Sequence, residues 1–119
     1  MKILSSDEAL INFFSGDKSL TSAKLTRIDI FSKDGFLLID LYFELLSNDK
    51  IKLTFTDVKE YSFYHSSKHA FYYVEILKFF KEQQSIYISL DPVDETEGIS
   101  EKDNDFILAA GVNGFVLEE

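Results

Sequence analysis

Hydrophobic and polar positions alternate most regularly between Phe36 and Leu45. Leu37, Ile39, Leu41, Phe43 and Leu45 fall on one face there, and Asp40, Tyr42 and Glu44 on the other. A period of two marks a strand with one buried side. The same period runs through Ile51, Leu53 and Phe55 against Lys52, Thr54 and Thr56, and less regularly from Leu25 to Phe31. Lys33-Asp34-Gly35 and Ser47-Asn48-Asp49 separate the runs as polar turns, with Gly35 able to take φ > 0. Three strands joined by short turns predict an antiparallel meander, with Leu37, Ile39, Leu41, Phe43, Leu53 and Phe55 inside.

The period changes at the N-terminal end. Ser5-x-x-Glu8 has the form of a capping box, Leu10, Phe13 and Phe14 follow at helical spacing, and Gly16 supplies a stop. This predicts a helix over Ser6–Ser15, too short to be stable unless its apolar stripe docks. The stretch from Phe71 to Gln84 fits both periods. Its aromatic and β-branched content favours a strand, with a helix through Tyr73, Leu77 and Phe80 as the alternative. Ile86 to Leu90 alternates again and stops at Asp91-Pro92, because proline has no N–H to give a ladder. The segment from Asp91 to Asp105 reads as a loop. The tail from Phe106 to Leu117 reads as a last strand bent at its glycines.

These elements predict a single α+β domain over residues 1–119. It is mainly an antiparallel sheet of about five to seven strands, with Leu10, Phe13 and Phe14 of the short helix packed on one face. A length of 119 residues is enough to bury a core without staples. The absence of cysteine excludes disulfides, a thiolate nucleophile and Cys-ligated metal. No apolar signal core precedes the first acids, and no apolar run approaches the roughly 20 residues that span a bilayer. A soluble cytoplasmic protein is therefore expected.

Charge changes the picture. Asp91, Asp94, Glu95, Glu97, Glu101, Asp103 and Asp105 face a single lysine, Lys102, so this segment holds a net −6 of the chain's −9. Such a surface repels nucleic acid and anionic lipid and favours a cationic protein or a hard metal ion. No EF-hand register fits: starting at Asp91 puts Lys102 at position 12, and starting at Asp94 puts Gly98 at position 5. A weak divalent site, a docking surface for a basic partner and a solvated loop remain as readings.

Other chemistry is sparse. His65 and His69 stand four apart, but Ser66-Ser67-Lys68 between them looks like a turn, so no metal site is expected. The serines lack a nucleophile-elbow setting, and Gly111-x-x-Gly114 lacks the third glycine of a phosphate loop. No catalytic residue and no cofactor is assigned, and the protein is read as a non-enzyme. Tyr61, Phe63, Tyr64, Phe71, Tyr72 and Tyr73 form an aromatic block, read as core packing, a protein-binding face or a ligand pocket.

Phe71-Tyr72-Tyr73-Val74-Glu75, then Tyr87-Ile88-Ser89-Leu90-Asp91-Pro92, then Ser100-Glu101-Lys102-Asp103-Asn104-Asp105 resemble a family of small uncharacterised bacterial proteins. Its members are similar to immunity proteins, the antidotes encoded beside polymorphic toxins. The resemblance covers about residues 71–119 and implies an acidic domain that neutralises a toxin by binding it. The expected partner-binding set is Asp91, Asp94, Glu95, Glu97, Asp103 and Asp105, with Tyr64 and Tyr72. The alternative is a small-molecule-binding module using the Tyr/Phe-rich segment 61–87.

Overall fold

The computed structural model describes residues 1–15, 19–65, 73–96 and 98–117. Their elements are β1 (Lys2–Ser6), α1 (Asp7–Phe14), β2 (Lys24–Lys33), β3 (Phe36–Glu44), β4 (Lys50–Ser62), β5 (Lys78–Glu82), β6 (Ser85–Asp91) and β7 (Asn104–Val116). The seven strands make one antiparallel sheet in the order β2-β3-β4-β7-β6-β5, with β1 also on β7. The meander β2-β3-β4 follows the expected pairing. Asp34 and Gly35 both take φ > 0 (54° and 84°), the backbone of a two-residue hairpin turn. Ile39, Leu41, Phe43, Leu53 and Phe55 are buried, while Leu37 near the hairpin tip is only half-buried.

β7 organises the sheet. β4 lines one of its edges from Phe106 to Val116. The other edge is shared, β6 pairing with Asn104–Ala109 and β1 with Asn113–Val116. Buried positions in β7 are odd-numbered as far as Ala109 and even-numbered from Val112, so the alternation slips by one residue at Ala110–Gly111. β4 slips at the same level: Phe55 faces the core, Asp57 takes φ 50°, and Val58 packs on the core next. The bend expected at the glycines is therefore present, and it lies where β6 leaves and β1 arrives.

α1 is built onto this junction. The Asp7 carboxylate accepts the Val112 N–H at 2.8 Å, a main-chain donor lying between the β6 and β1 pairings. A Cβ on Gly111 would stand 3.0 Å from Asp7 Oδ1, and one on Gly114 would overlap Leu10 Cδ1. Glycine thus lets the helix sit directly on the strand. Farther along, the Phe14 ring lies 6.5 Å from Phe79, which is also 6.5 Å from Phe55, so edge strand β5 and central strand β4 meet beneath the helix.

Two details differ from expectation, and a third, the strand favoured between Phe71 and Gln84, is present over part of that stretch. The helix begins at Asp7, and no side-chain cap bond forms: Ser6 donates instead to Asn113 Oδ1 at 2.6 Å, while Ser5 belongs to a strand. The capping-box letters sit on a strand-to-helix junction whose main-chain partners come from β7. Phe13 remains 38% exposed, touching Phe14 edge-on, because an eight-residue helix presents only Leu10 and Phe14 squarely to the sheet. The segment from Phe71 to Gln84 contributes a strand, β5, over Lys78–Glu82, with Phe71 and Tyr72 outside the described residues. Gly16 also lies outside them.

Leu10→Ala should cost about 2–5 kcal/mol by emptying its buried site, and Gly114→Ala about 1–3 kcal/mol by overpacking it. Because the two groups occupy one space, the double variant should cost less than the sum of the singles by more than about 0.5 kcal/mol in chemical denaturation. Strictly additive costs would show that Leu10 is not seated on Gly114. Phe43→Ala, at a fully buried position, should cost about 3–5 kcal/mol in the same measurement.

Candidate functional site

The acidic segment folds back over the sheet. β6 ends at Asp91, which pairs with Asn104 at the start of β7, so the chain between them closes on itself as a loop. Register decides which face it covers. Lys78, Ser89 and Phe106 stand opposite one another across β5, β6 and β7, as do Phe80, Tyr87 and Leu108. These share the face opposite the one carrying Phe79, Ile88 and Ile107, and so opposite α1. With helix on one side and loop on the other, Ile86 to Leu90 are buried at five successive positions.

One carboxylate holds the loop. Asp103, whose side chain is fully buried, accepts from the Val93 N–H at 3.0 Å, the Ser100 N–H at 3.0 Å and the Tyr87 hydroxyl at 2.8 Å. It also accepts from the Lys78 ammonium at 3.0 and 3.1 Å, and Lys78 donates again to the Gly98 carbonyl at 2.9 Å. Burial alone would raise the Asp103 pKa; the main-chain and side-chain donors outweigh it and leave the carboxyl below its ordinary value. Tyr87 is pushed up, first by burial and then by its bond to the Asp103 carboxylate.

The expected partner-binding residues therefore separate. Asp103 is buried, and so is Asp105, which accepts the Tyr64 N–H at 2.8 Å from a backbone held at φ 49°. Both are withdrawn from any contact surface, a correction to the set read from the sequence: their lone pairs serve main-chain donors inside the fold. Asp91, Asp94 and Glu95 are exposed, as is Glu101. Asp94 is held below the ordinary carboxylate value by hydrogen bonds from the Thr96 hydroxyl and N–H. Tyr64 is 72% exposed, whereas Glu97 and Tyr72 lie outside the described residues.

The aromatic residues among those described do not converge. Phe79 joins the core with Phe14 and Phe55, Tyr87 stacks between Phe80 and Phe106 on the opposite face, and Tyr61 meets Phe63. His65 is exposed just beyond β4, His69 is outside the described residues, and no group of three metal-ligating side chains occurs among the described residues. No helix among the described residues is long and apolar enough to cross a membrane. Two concavities border the loop. One of about 590 Å³ runs along β5 beneath Glu95 and Thr96, and one of about 370 Å³ lies between Ile99–Glu101 and the rings of Tyr87 and Phe106.

Lys78 is the residue that sequence reading missed. Its signal was a single lysine inside Leu77-Lys78-Phe79-Phe80, a position where a solvated side chain would interrupt an apolar run. Removing either charge leaves the other buried and unmatched, so Lys78→Met or Asp103→Asn should cost about 3–5 kcal/mol, and the double variant less than the sum. The pH dependence follows the lowered Asp103 value. Its contribution is fully present above the unfolded carboxyl value of about 3.9 and is lost as pH falls through the lower folded value. Unfolding midpoints should drop more steeply below about pH 4 in the native protein than in Asp103→Asn. Parallel pH profiles would remove Asp103 as the cause.

Comparison with protein-family models, with curated proteins and with solved structures finds no match to this chain.

Proposed function

We propose that this is a non-catalytic binding protein whose acidic loop captures a cationic protein, in the manner of an immunity protein that neutralises a toxin by direct contact. The observation that carries the reading is the division of charge within one loop. Asp103 is matched by a buried lysine, while Asp91, Asp94, Glu95 and Glu101 stay at the surface without an ion pair among the described residues, Asp94 feeling Lys78 only at a distance. Like charges held together at a surface repel one another and add nothing to folding, whereas a basic partner relieves that repulsion. The loop that displays them is pinned by Lys78, Tyr87 and two main-chain donors, so little conformational freedom is lost on binding. The most concentrated buried polar cluster, Lys78–Asp103–Tyr87, spends its groups on one another, which favours a structural role over catalysis. A cytoplasmic site of action accords with the lack of cysteine and with the resemblance to immunity proteins.

Charge complementarity of this kind speeds association and makes it salt-sensitive. Affinity capture from a lysate of the source organism, with retained proteins identified by mass, should recover a basic protein whose association rate falls as salt rises. Changing Asp94, Glu95 and Glu97 together to their amides should weaken that capture by roughly tenfold or more at low salt. Equal recovery of the same partners by both versions would reduce the loop to a solvated surface.

A further inference from the structure

The smaller concavity has a composition that selects a ligand. Its floor is apolar: half-buried Phe106 and Leu108 line it, with Tyr87, only 1% exposed, stacked on Phe106 at a ring-centroid separation of 5.9 Å. Its walls bring Glu60, which stands opposite Leu108 across the β4–β7 ladder, toward Glu101 of the acidic loop. Neither carboxylate has an ion-pair or hydrogen-bond partner among the described residues, and none of the described residues lining the cavity is basic. The larger groove contrasts with it, because Lys81 stands in its lining beside Glu82 and Glu95, while Lys78 is committed to Asp103. Ile99, 48% exposed, stands at the rim as an apolar contact for an aliphatic stem.

An apolar cavity with two carboxylates that lack a partner among the described residues suits an organic cation carried on a hydrocarbon chain: Phe106, Leu108 and Ile99 cover the stem and the carboxylates attract the positive head. We propose that it receives a lysine side chain projecting from the cationic protein partner. A volume of about 370 Å³ lies at the low end for small-molecule pockets and is ample for one side chain. Its wall is formed by Ile99–Glu101, residues of the same loop that exposes Asp91, Asp94 and Glu95, so a basic surface engaging those acids passes over the cavity mouth. The cavity then supplies the desolvated anchor that a rim of surface charge lacks. This inference rests on the reading of the acidic loop as a docking surface.

Titration with hexalysine at low ionic strength, followed by backbone amide NMR, tests it. The expected result is saturable shifts at Ile99, Ser100, Glu101, Phe106 and Leu108, about tenfold weaker in the Glu60→Gln/Glu101→Gln protein. Asp94→Asn/Glu95→Gln should slow association while leaving the same amides shifted. Both pairs are exposed, so each variant should keep the native fold, checked by its unshifted spectrum elsewhere. Shifts confined to Asp91, Asp94 and Glu95 would overturn the cavity assignment and leave the acidic-loop reading standing. No shift anywhere would overturn the cavity assignment, with the capture experiment deciding the loop separately. Butylammonium binding as tightly as hexalysine, per cation, would overturn the polypeptide source in favour of a free amine.

Discussion

A carboxylate removed from water must have its charge opposed and its lone pairs filled, and Asp103 meets both demands with Lys78, Tyr87 and the N–H groups of Val93 and Ser100. Each partner belongs to a different part of the chain: β5, β6, the start of the loop and its return. The bond set consequently ties an edge strand to its neighbour and folds the loop flat on the sheet. That covering explains why β6 is buried on both faces although its sequence alternates like a half-exposed strand. A buried pair of this kind is weak support for stability compared with an apolar replacement, but it favours this arrangement of the loop, because here the buried lysine and carboxylate are matched.

The opposite face uses the same device with a different acid. Where β6 gives way to β1 along the edge of β7, the Val112 N–H has no strand to pair with, and the Asp7 carboxylate accepts it. Gly111 and Gly114 clear the space that Asp7 and Leu10 occupy. Asp105 repeats the pattern at the other end of β7 by accepting the Tyr64 N–H. Three aspartates thus accept main-chain N–H groups that no strand pairs with: Asp7 where the ladder is interrupted, Asp105 just beyond β4 and Asp103 within the loop.

The parts legible in the sequence were those governed by a single period. β3 and β4 alternate apolar and polar residues because one face of the meander is covered, and the turn at Asp34-Gly35 needs left-handed backbone that those residues tolerate. β1 was hidden because five residues ending in Ser5-Ser6 resemble the approach to a helix, and its strand character comes from β7, over a hundred residues away. The bend in β7 was readable from its glycines, though their second use, admitting the helix, depends on where Leu10 and Asp7 arrive. Seven carboxylates in one segment looked alike as letters. What separates Asp103 and Asp105 from Asp94 and Glu95 is the presence of unsatisfied donors above the sheet, and that is a property of tertiary structure.

The same separation bears on how an acidic surface functions. If every carboxylate of the loop pointed outward, mutual repulsion would favour an expanded segment and any partner would first have to order it. Burying Asp103 against Lys78 removes one negative charge from the surface and uses it to fix the backbone that displays the others. The exposed acids then act from defined positions, next to an aromatic-floored cavity formed by the same folding back of the loop. Internal pairing and surface charge are therefore coupled: loss of the Lys78–Asp103 contact would leave the exposed acids in place while releasing the backbone geometry that holds them in position.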